Sequence, residues 1–223
     1  MTHVQPHAGP TTVDGTAHSS ATLYEAVQTL LRSKNTATGL SSPRAVDPGI
    51  GAAWPGARVA GPAFTVQGAG GDNLALHHAV LAAPAGHVLV VDAGGAPFGH
   101  WGEVLTVAAQ QRDIAGLVID GAVRDVDALA TLRFPVFSRH TSIRGTRKLF
   151  RGALGISIEV GGVPVDTTDL VVGDADGVIV IPRARAAAVL NEADRRVTGE
   201  HRILEALRSG ATTLELYGLE DGS

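Results

Sequence analysis

Apolar and polar positions fall into distinct regimes along the chain. From residue 58 to 138, short unbroken apolar runs alternate with stretches of helical period. Val88-Leu-Val-Val91 and Gly116-Leu-Val-Ile-Asp120 are continuous runs, as expected of strands covered on both faces. Strands are expected over 58–66 and 135–138 as well, with helices over 73–83, 103–111 and 125–132 between them. Leu74, Ala75, Val80 and Leu81 form the apolar stripe of the first of these helices, which Asp72 or Asn73 would cap. Turns are expected at 68–71 and 92–95. Strand–helix–strand repetition at this spacing predicts βαβ units and partly parallel pairing.

The pattern then changes. Short strands are expected over 157–160, 162–165, 170–172 and 178–181, with Asp174-Ala-Asp-Gly177 as a hairpin turn. Two helices, over 183–196 and 198–208, close the chain. At the other end, Thr22-Leu-Tyr-Glu25 reads as a capping box opening a helix through Arg32. The Gly- and Pro-rich stretch 39–56 reads as loop. Without a repeat or a clear linker, the expectation is one α/β domain over 21–219 with a mixed sheet and C-terminal helices. A loosely ordered polar tail over 1–20 would precede it.

Composition narrows the possible functions. Of 223 residues, 44% are hydrophobic and 18% charged, so a sizeable core can form. Aromatics at 4% and a formal net charge of −4 weigh against nucleic-acid binding, which needs stacking platforms and cations for phosphates. The absence of cysteine removes disulfides, thiolate metal sites and cysteine nucleophiles. The polar start has no signal-peptide core and no window reaches transmembrane length, so a cytoplasmic protein without a membrane partner is expected.

Candidate chemistry gathers between Gly94 and Asp127. If the strands at 88–91 and 116–120 lie parallel and adjacent, the turns that follow them open at one carboxyl edge of the sheet, where open α/β sheets bind ligands. One turn leads through Gly99, His100, Trp101 and Gly102 into a helix start at Glu103, whose backbone N–H groups suit a carboxylate. The other supplies Arg124, a planar permanent cation, beside Asp125, a hard oxygen ligand for a divalent metal. Each feature alone has a plain structural reading: a surface ion pair, a capping Asp120, a Glu103 favouring its helix dipole. His77, His78, His87 and His100 show no chelating spacing, and a structural role is expected for them. Asp174 and Asp176 suit their turn for local reasons. Lys34 and Lys148, the only lysines, are expected outside the site, so no Schiff base is anticipated.

Together the residues resemble one family. Gly116-Leu-Val-Ile-Asp-Gly-Ala-Val-Arg-Asp125, with twenty residues separating Glu103 from Arg124, is similar to the signature of the 4-hydroxy-4-methyl-2-oxoglutarate aldolases and the regulator of ribonuclease activity A proteins. Val59-Ala-Gly-Pro-Ala-Phe-Thr-Val66, Gly71-Asp-Asn73, Gly86-His-Val-Leu-Val-Val-Asp92 and Asp169-Leu-Val-Val-Gly-Asp-Ala-Asp-Gly-Val-Ile-Val-Ile-Pro182 are similar in register, so the resemblance runs from about Thr22 to Gly218.

The resemblance implies a swivelling β/β/α fold of the RraA-like type, assembled as a homotrimer or homohexamer with sites between subunits. It implies a carbon–carbon lyase acting on a 2-oxo acid through a pyruvate enolate, as aldolase or oxaloacetate decarboxylase. Asp125 would ligate Mg²⁺ or Mn²⁺ directly. Glu103 would act through water, as would Glu200 from a neighbouring subunit. Arg124 would face the C2 oxygen, and backbone amides of Gly99, His100, Trp101 and Gly102 would receive the carboxylate. Two departures stand out: Ser138-Arg-His-Thr-Ser142 and Val165-Asp-Thr-Thr-Asp169 replace the family's usual turns. The bulk of His100 and Trp101 leads to the expectation of a reshaped pocket and a substrate other than the usual branched dicarboxylate. The alternatives are a metal–enolate enzyme repurposed for another reaction and a non-catalytic regulator that binds ribonuclease E-type enzymes.

Overall fold

Four parallel strands form the centre of the molecule, each joined to the next by a helix. The structure is a computed structural model describing residues 18–33 and 44–219. Strands β2 (Val59–Gln67), β3 (Val88–Trp101), β4 (Gly116–Val123) and β5 (Val136–Thr141) run side by side, crossing over through α2 (Leu74–Ala82), α3 (Glu103–Gln110) and α4 (Val126–Thr131). The sheet is mixed. β1 (Gly51–Ala52) adds antiparallel to β5, and β9 (Leu170–Asp174) adds antiparallel to the other edge at β2, followed by β10 (Gly177–Ile181). β6 (Ala153–Leu154) pairs with the end of β2, and β7 (Ile158–Val160) with β8 (Val163–Val165) makes a separate hairpin.

Burial explains the unbroken apolar runs. One face of the parallel strands carries Leu89, Val91, Leu117 and Ile119 against the helix layer of Leu76, Ala79, Leu105 and Leu129. The opposite face carries Val88, Val90 and Val118 against Val160, Val163 and Val165 of the small hairpin and Val171 and Val180 of β9 and β10. A third cluster seats α1 (Ser20–Arg32) and α5 (Ala186–Arg208) on the other side of β9 and β10, through Leu23, Val27, Ile179, Ile181 and Val189. Among the described residues no helix is long and apolar enough to cross a membrane.

Three element readings are corrected. Helix α1 opens at Ser20, not at Thr22: Ser19 Oγ accepts the Thr22 N–H, and Asp174 accepts both the N–H and the hydroxyl of Ser20. A partner 154 residues away decides that start, so a local capping pattern missed it. The turn at 92–95 is a bulge inside β3, where Gly94 and Gly95 take positive φ and pairing with β4 resumes at Ala96, Gly99 and Trp101. The two C-terminal helices are one. Gly199 keeps a helical φ, and α5 ends only at Arg208, before Gly210 at φ +100 and the short α6 (Thr213–Tyr217). Of the 39–56 loop, residues 39–43 lie outside the described residues, as do residues 1–17 of the tail.

Candidate active site

The ends of β3 and β4 lie adjacent, and the backbone there is held tightly. Arg124 N–H donates to the Trp101 carbonyl at 2.8 Å, and Asp125 follows with φ +56 and ψ +38. A left-handed non-glycine residue costs roughly 1–2 kcal/mol, although Asp tolerates it better than most. Asp125 stands at the N-cap of α4 but does not cap it. Its Oδ2 instead accepts the Glu103 N–H at 3.1 Å and lies 3.5 Å from Arg124 Nε. Both side chains stay partly open, at 47% for Arg124 and 39% for Asp125.

Two glycines make this approach possible. A Cβ on Gly102 would stand 2.3 Å from Asp125 Oδ2, and one on Gly99 would stand 2.6 Å from the Ser142 carbonyl and 3.1 Å from Arg124 Cδ. Gly102 is also the N-cap of α3 and offers that helix no side-chain acceptor. First-turn N–H groups of α3 therefore have no intrahelical partner, and Val104 and Leu105 line a cavity of about 230 Å³ beside them. Such a helix end favours an anion. The Gly99 N–H, by contrast, already donates to the Arg144 carbonyl, and Glu103 N–H to Asp125. Those two amides are engaged within the chain.

Gly99, His100, Trp101, Gly102 and Arg124 all line that cavity, so the fold brings together the residues singled out as substrate-binding. Glu103 and Asp125 do not line it; they are the chain neighbours of Gly102 and Arg124, which do, and they touch each other through the Glu103 N–H. Glu200 does not join them within one chain. It sits on α5, 3.5 Å from Arg196, which also pairs with Glu25 of α1.

A divalent cation fits this donor set in a particular way. No three His, Asp or Glu groups come together as a metal cage among the described residues. One open, hard carboxylate with a second nearby suits an ion such as Mg²⁺, which keeps several waters and uses one or two protein carboxylates together with its substrate.

Other side chains change the sequence reading. Lys148 lines the cavity, contrary to its expected exclusion, because the segment after β5 folds back over it. That segment is tied down by Arg147 N–H to the Gly71 carbonyl, Asn73 N–H to the Arg147 carbonyl and Leu149 N–H to Asp72 Oδ2. His77 also lines the cavity with a buried Nε2 lacking a partner, so a purely structural role does not describe it. Burial, with Lys148 and His78 adding to it, holds His77 below the usual histidine range. Asn73, one helical turn earlier, shares the cavity. Only contacts 70 residues apart reveal these three; the Gly71-Asp-Asn73 motif was the one local hint.

His100 and Trp101 line the cavity and are both buried. His100 Nε2 accepts the Gly71 N–H at 3.1 Å, and burial holds its ring below the usual histidine range. Trp101 is fully buried, stacks on Phe134 at 5.9 Å and donates to Thr106 Oγ1. Asp120 caps nothing: it binds Arg139 through two contacts of 2.6 and 3.1 Å, which hold its carboxyl below the usual range.

Relatives share this arrangement of elements. Residues 20–180 match the family model described as RraA-like, Aldolase/RraA. A provisionally named 4-hydroxy-4-methyl-2-oxoglutarate aldolase of Halalkalibacterium halodurans is 40% identical over 161 residues, covering 72% of this chain and 77% of that protein. A crystal structure of an uncharacterised Pseudomonas syringae protein is 31% identical with a TM-score of 0.74, covering 87% of this chain and 90% of the other. Streptomyces coelicolor RraAS2, described as an unusual member of the RNase ES inhibitor RraA family, is 29% identical with a TM-score of 0.71, covering 86% and 94%. A mixed sheet of this order, a β3–β4 edge that presents Arg124 and Asp125, and a family match over most of the chain place the protein in the RraA-like (Aldolase/RraA) family.

Proposed function

We propose that the protein is a divalent-metal-dependent carbon–carbon lyase that acts on a 2-oxo acid through a pyruvate enolate. The observation that carries this reading is the Arg124–Asp125 pair at the carboxyl edge of β4, where Asp125 Oδ2 meets the first N–H of α3 and Arg124 lines the cavity beside that helix start. The substrate carboxylate would lie against the α3 N-terminus, where exposed N–H groups and the helix dipole favour negative charge. Breaking the C3–C4 bond leaves charge on the C2 oxygen, and Arg124 is the permanent cation beside that position. Asp125 would hold Mg²⁺ or Mn²⁺, with Glu103 reaching it through water and Glu200 of a neighbouring subunit in a homotrimer or homohexamer doing the same. The ion would supply Lewis-acid stabilisation of that charge. Loss of CO₂ from oxaloacetate gives the same enolate, so one set of groups serves both reactions.

The test is pyruvate release from oxaloacetate and from 4-hydroxy-4-methyl-2-oxoglutarate, with Mg²⁺, with EDTA and for Asp125→Asn. Metal-dependent turnover lost in that variant supports the reading; no turnover of either compound by the unmodified chain counts against it.

A second reading, a regulator that binds a ribonuclease E-type enzyme, draws on the loop after β5. Ile143 is 94% exposed and Leu149 77% exposed, alongside exposed Arg144, Arg147 and Arg151. Inhibition of such a ribonuclease by the chain, lost when Ile143 and Leu149 become Ser, would favour it.

A further inference from the structure

Two buried polar atoms on one face of α2 have no protein partner among the described residues. Asn73 precedes the helix and His77 follows four positions later, a spacing that stacks side chains on one face. Both line the same cavity as Arg124 and Gly102. Asn73 is more than nine-tenths buried, and its Oδ1 makes no hydrogen bond; nor does the buried Nε2 of His77. The Asn73 amide cannot be turned round to hide this. Its Nδ2 donates to the His100 carbonyl at 3.0 Å, which only an N–H can do, so Oδ1 is the atom left over. A buried, unmet polar group costs about 1–3 kcal/mol, and two on one helix face call for a ligand that satisfies both.

The chemistry of the pair fits one kind of substrate group. Asn73 Oδ1 can only accept. A carboxylate or carbonyl oxygen cannot serve it, because neither donates. The neutral His77 ring can donate from Nε2. A hydroxyl meets both requirements at once, giving its proton to Asn73 Oδ1 and accepting from His77 Nε2.

We infer that Asn73 and His77 form a hydroxyl-reading clamp that positions the C4 hydroxyl of the substrate in the aldol reaction. This inference rests on the lyase reading above. It assigns the Arg124 side of the cavity to the pyruvyl group and the α2 side to the oxygen on the carbon that leaves. Asn73 and His77 are positioning residues: they orient the C4–O bond relative to the breaking C3–C4 bond.

Pyruvate has no C4, so forming its enolate at the same site does not use the clamp. The experiment measures kcat/KM of the full chain with Mg²⁺ for 4-hydroxy-4-methyl-2-oxoglutarate cleavage and for deuterium exchange into the methyl group of pyruvate. It compares wild type, His77→Leu and His77→Gln, with thermal melts of each. His77 carries the test because Asn73 also ties the His100 carbonyl. His77→Leu should lower aldol cleavage by about 10- to 100-fold, the loss of one to two hydrogen-bond equivalents. Pyruvate exchange should change less than about threefold, and Gln, which keeps a donor, should restore much of the cleavage. Equal loss of both activities, or no loss of either, overturns the clamp while leaving the lyase reading intact. Inactivity of wild type on both substrates overturns the lyase reading and the clamp with it.

Discussion

Asp125 departs, as a single residue, from what helix stability alone favours. It holds a left-handed backbone and leaves α4 uncapped while its carboxylate turns to the Glu103 N–H and the Arg124 guanidinium. Asn shares the tolerance of Asp for that conformation, so Asp125→Asn should leave the melting temperature within about 2 °C while abolishing metal-dependent turnover. A calorimetric scan beside the pyruvate assay checks both halves. Gly102→Ala should be worse for activity than for folding: the new methyl occupies the place of Asp125 Oδ2, and turnover should fall about 100-fold or more, the scale of losing one preorganised group. Asp120 gives a pH signature. Its carboxyl is held below the usual range by the Arg139 hydrogen bonds, so its contribution is complete above the unfolded value near 3.9 and is lost as the pH falls through the lower folded one. Asp120→Asn should cost about 2 kcal/mol at pH 7, and that difference should shrink progressively below about pH 4 in urea titrations. The Arg124, Asp125 and Glu103 set was picked out by the family resemblance together with residue type, and the fold brings the three into contact. Asn73, His77 and Lys148 were not, since a lone amide, an unspaced histidine and a surface-type lysine acquire meaning only from what faces them.

At the scale of elements, the apolar runs and the helical periods between them already implied the βαβ order, and β2 to β5 follow it. Boundaries failed where distant contacts rule. Asp174 sets the first residue of α1, the Gly94–Gly95 bulge lets β3 continue for 14 residues, and α5 passes straight through Gly199. The bulge has a functional result, since it carries β3 beyond the usual end of a strand and brings Gly99 and Gly102 beside Arg124. Gly199 has open space where a Cβ would stand and a helical backbone, so Gly199→Ala should stabilise the chain by about 0.5–1 kcal/mol, read as a raised urea midpoint.

Over the whole molecule, three apolar clusters join at the central sheet. Phe137 of β5 is the largest fully buried side chain between the sheet and its β-rich cover, and its ring fills the space a Cβ on Gly173 of β9 would need. Phe137→Ala should cost about 3–5 kcal/mol, and Gly173→Ala should destabilise by overpacking the same seam; chemical denaturation ranks both. What the amino-acid order determined by itself is whatever depends on local periodicity and residue chemistry. That covers the alternation of buried strands and helices, the Asp174–Gly177 hairpin, and a cation beside a hard carboxylate after the third central strand. The tertiary structure decided everything that depends on which distant backbone closes over which side chain. It turned His100 and Trp101 into the core, folded the segment after β5 down so that Lys148 meets α2, and left Asn73 and His77 facing the same cavity as Arg124. The physical reason is that periodicity reports only whether a face is buried, whereas a site is defined by the particular groups that burial brings within a few ångströms of one another.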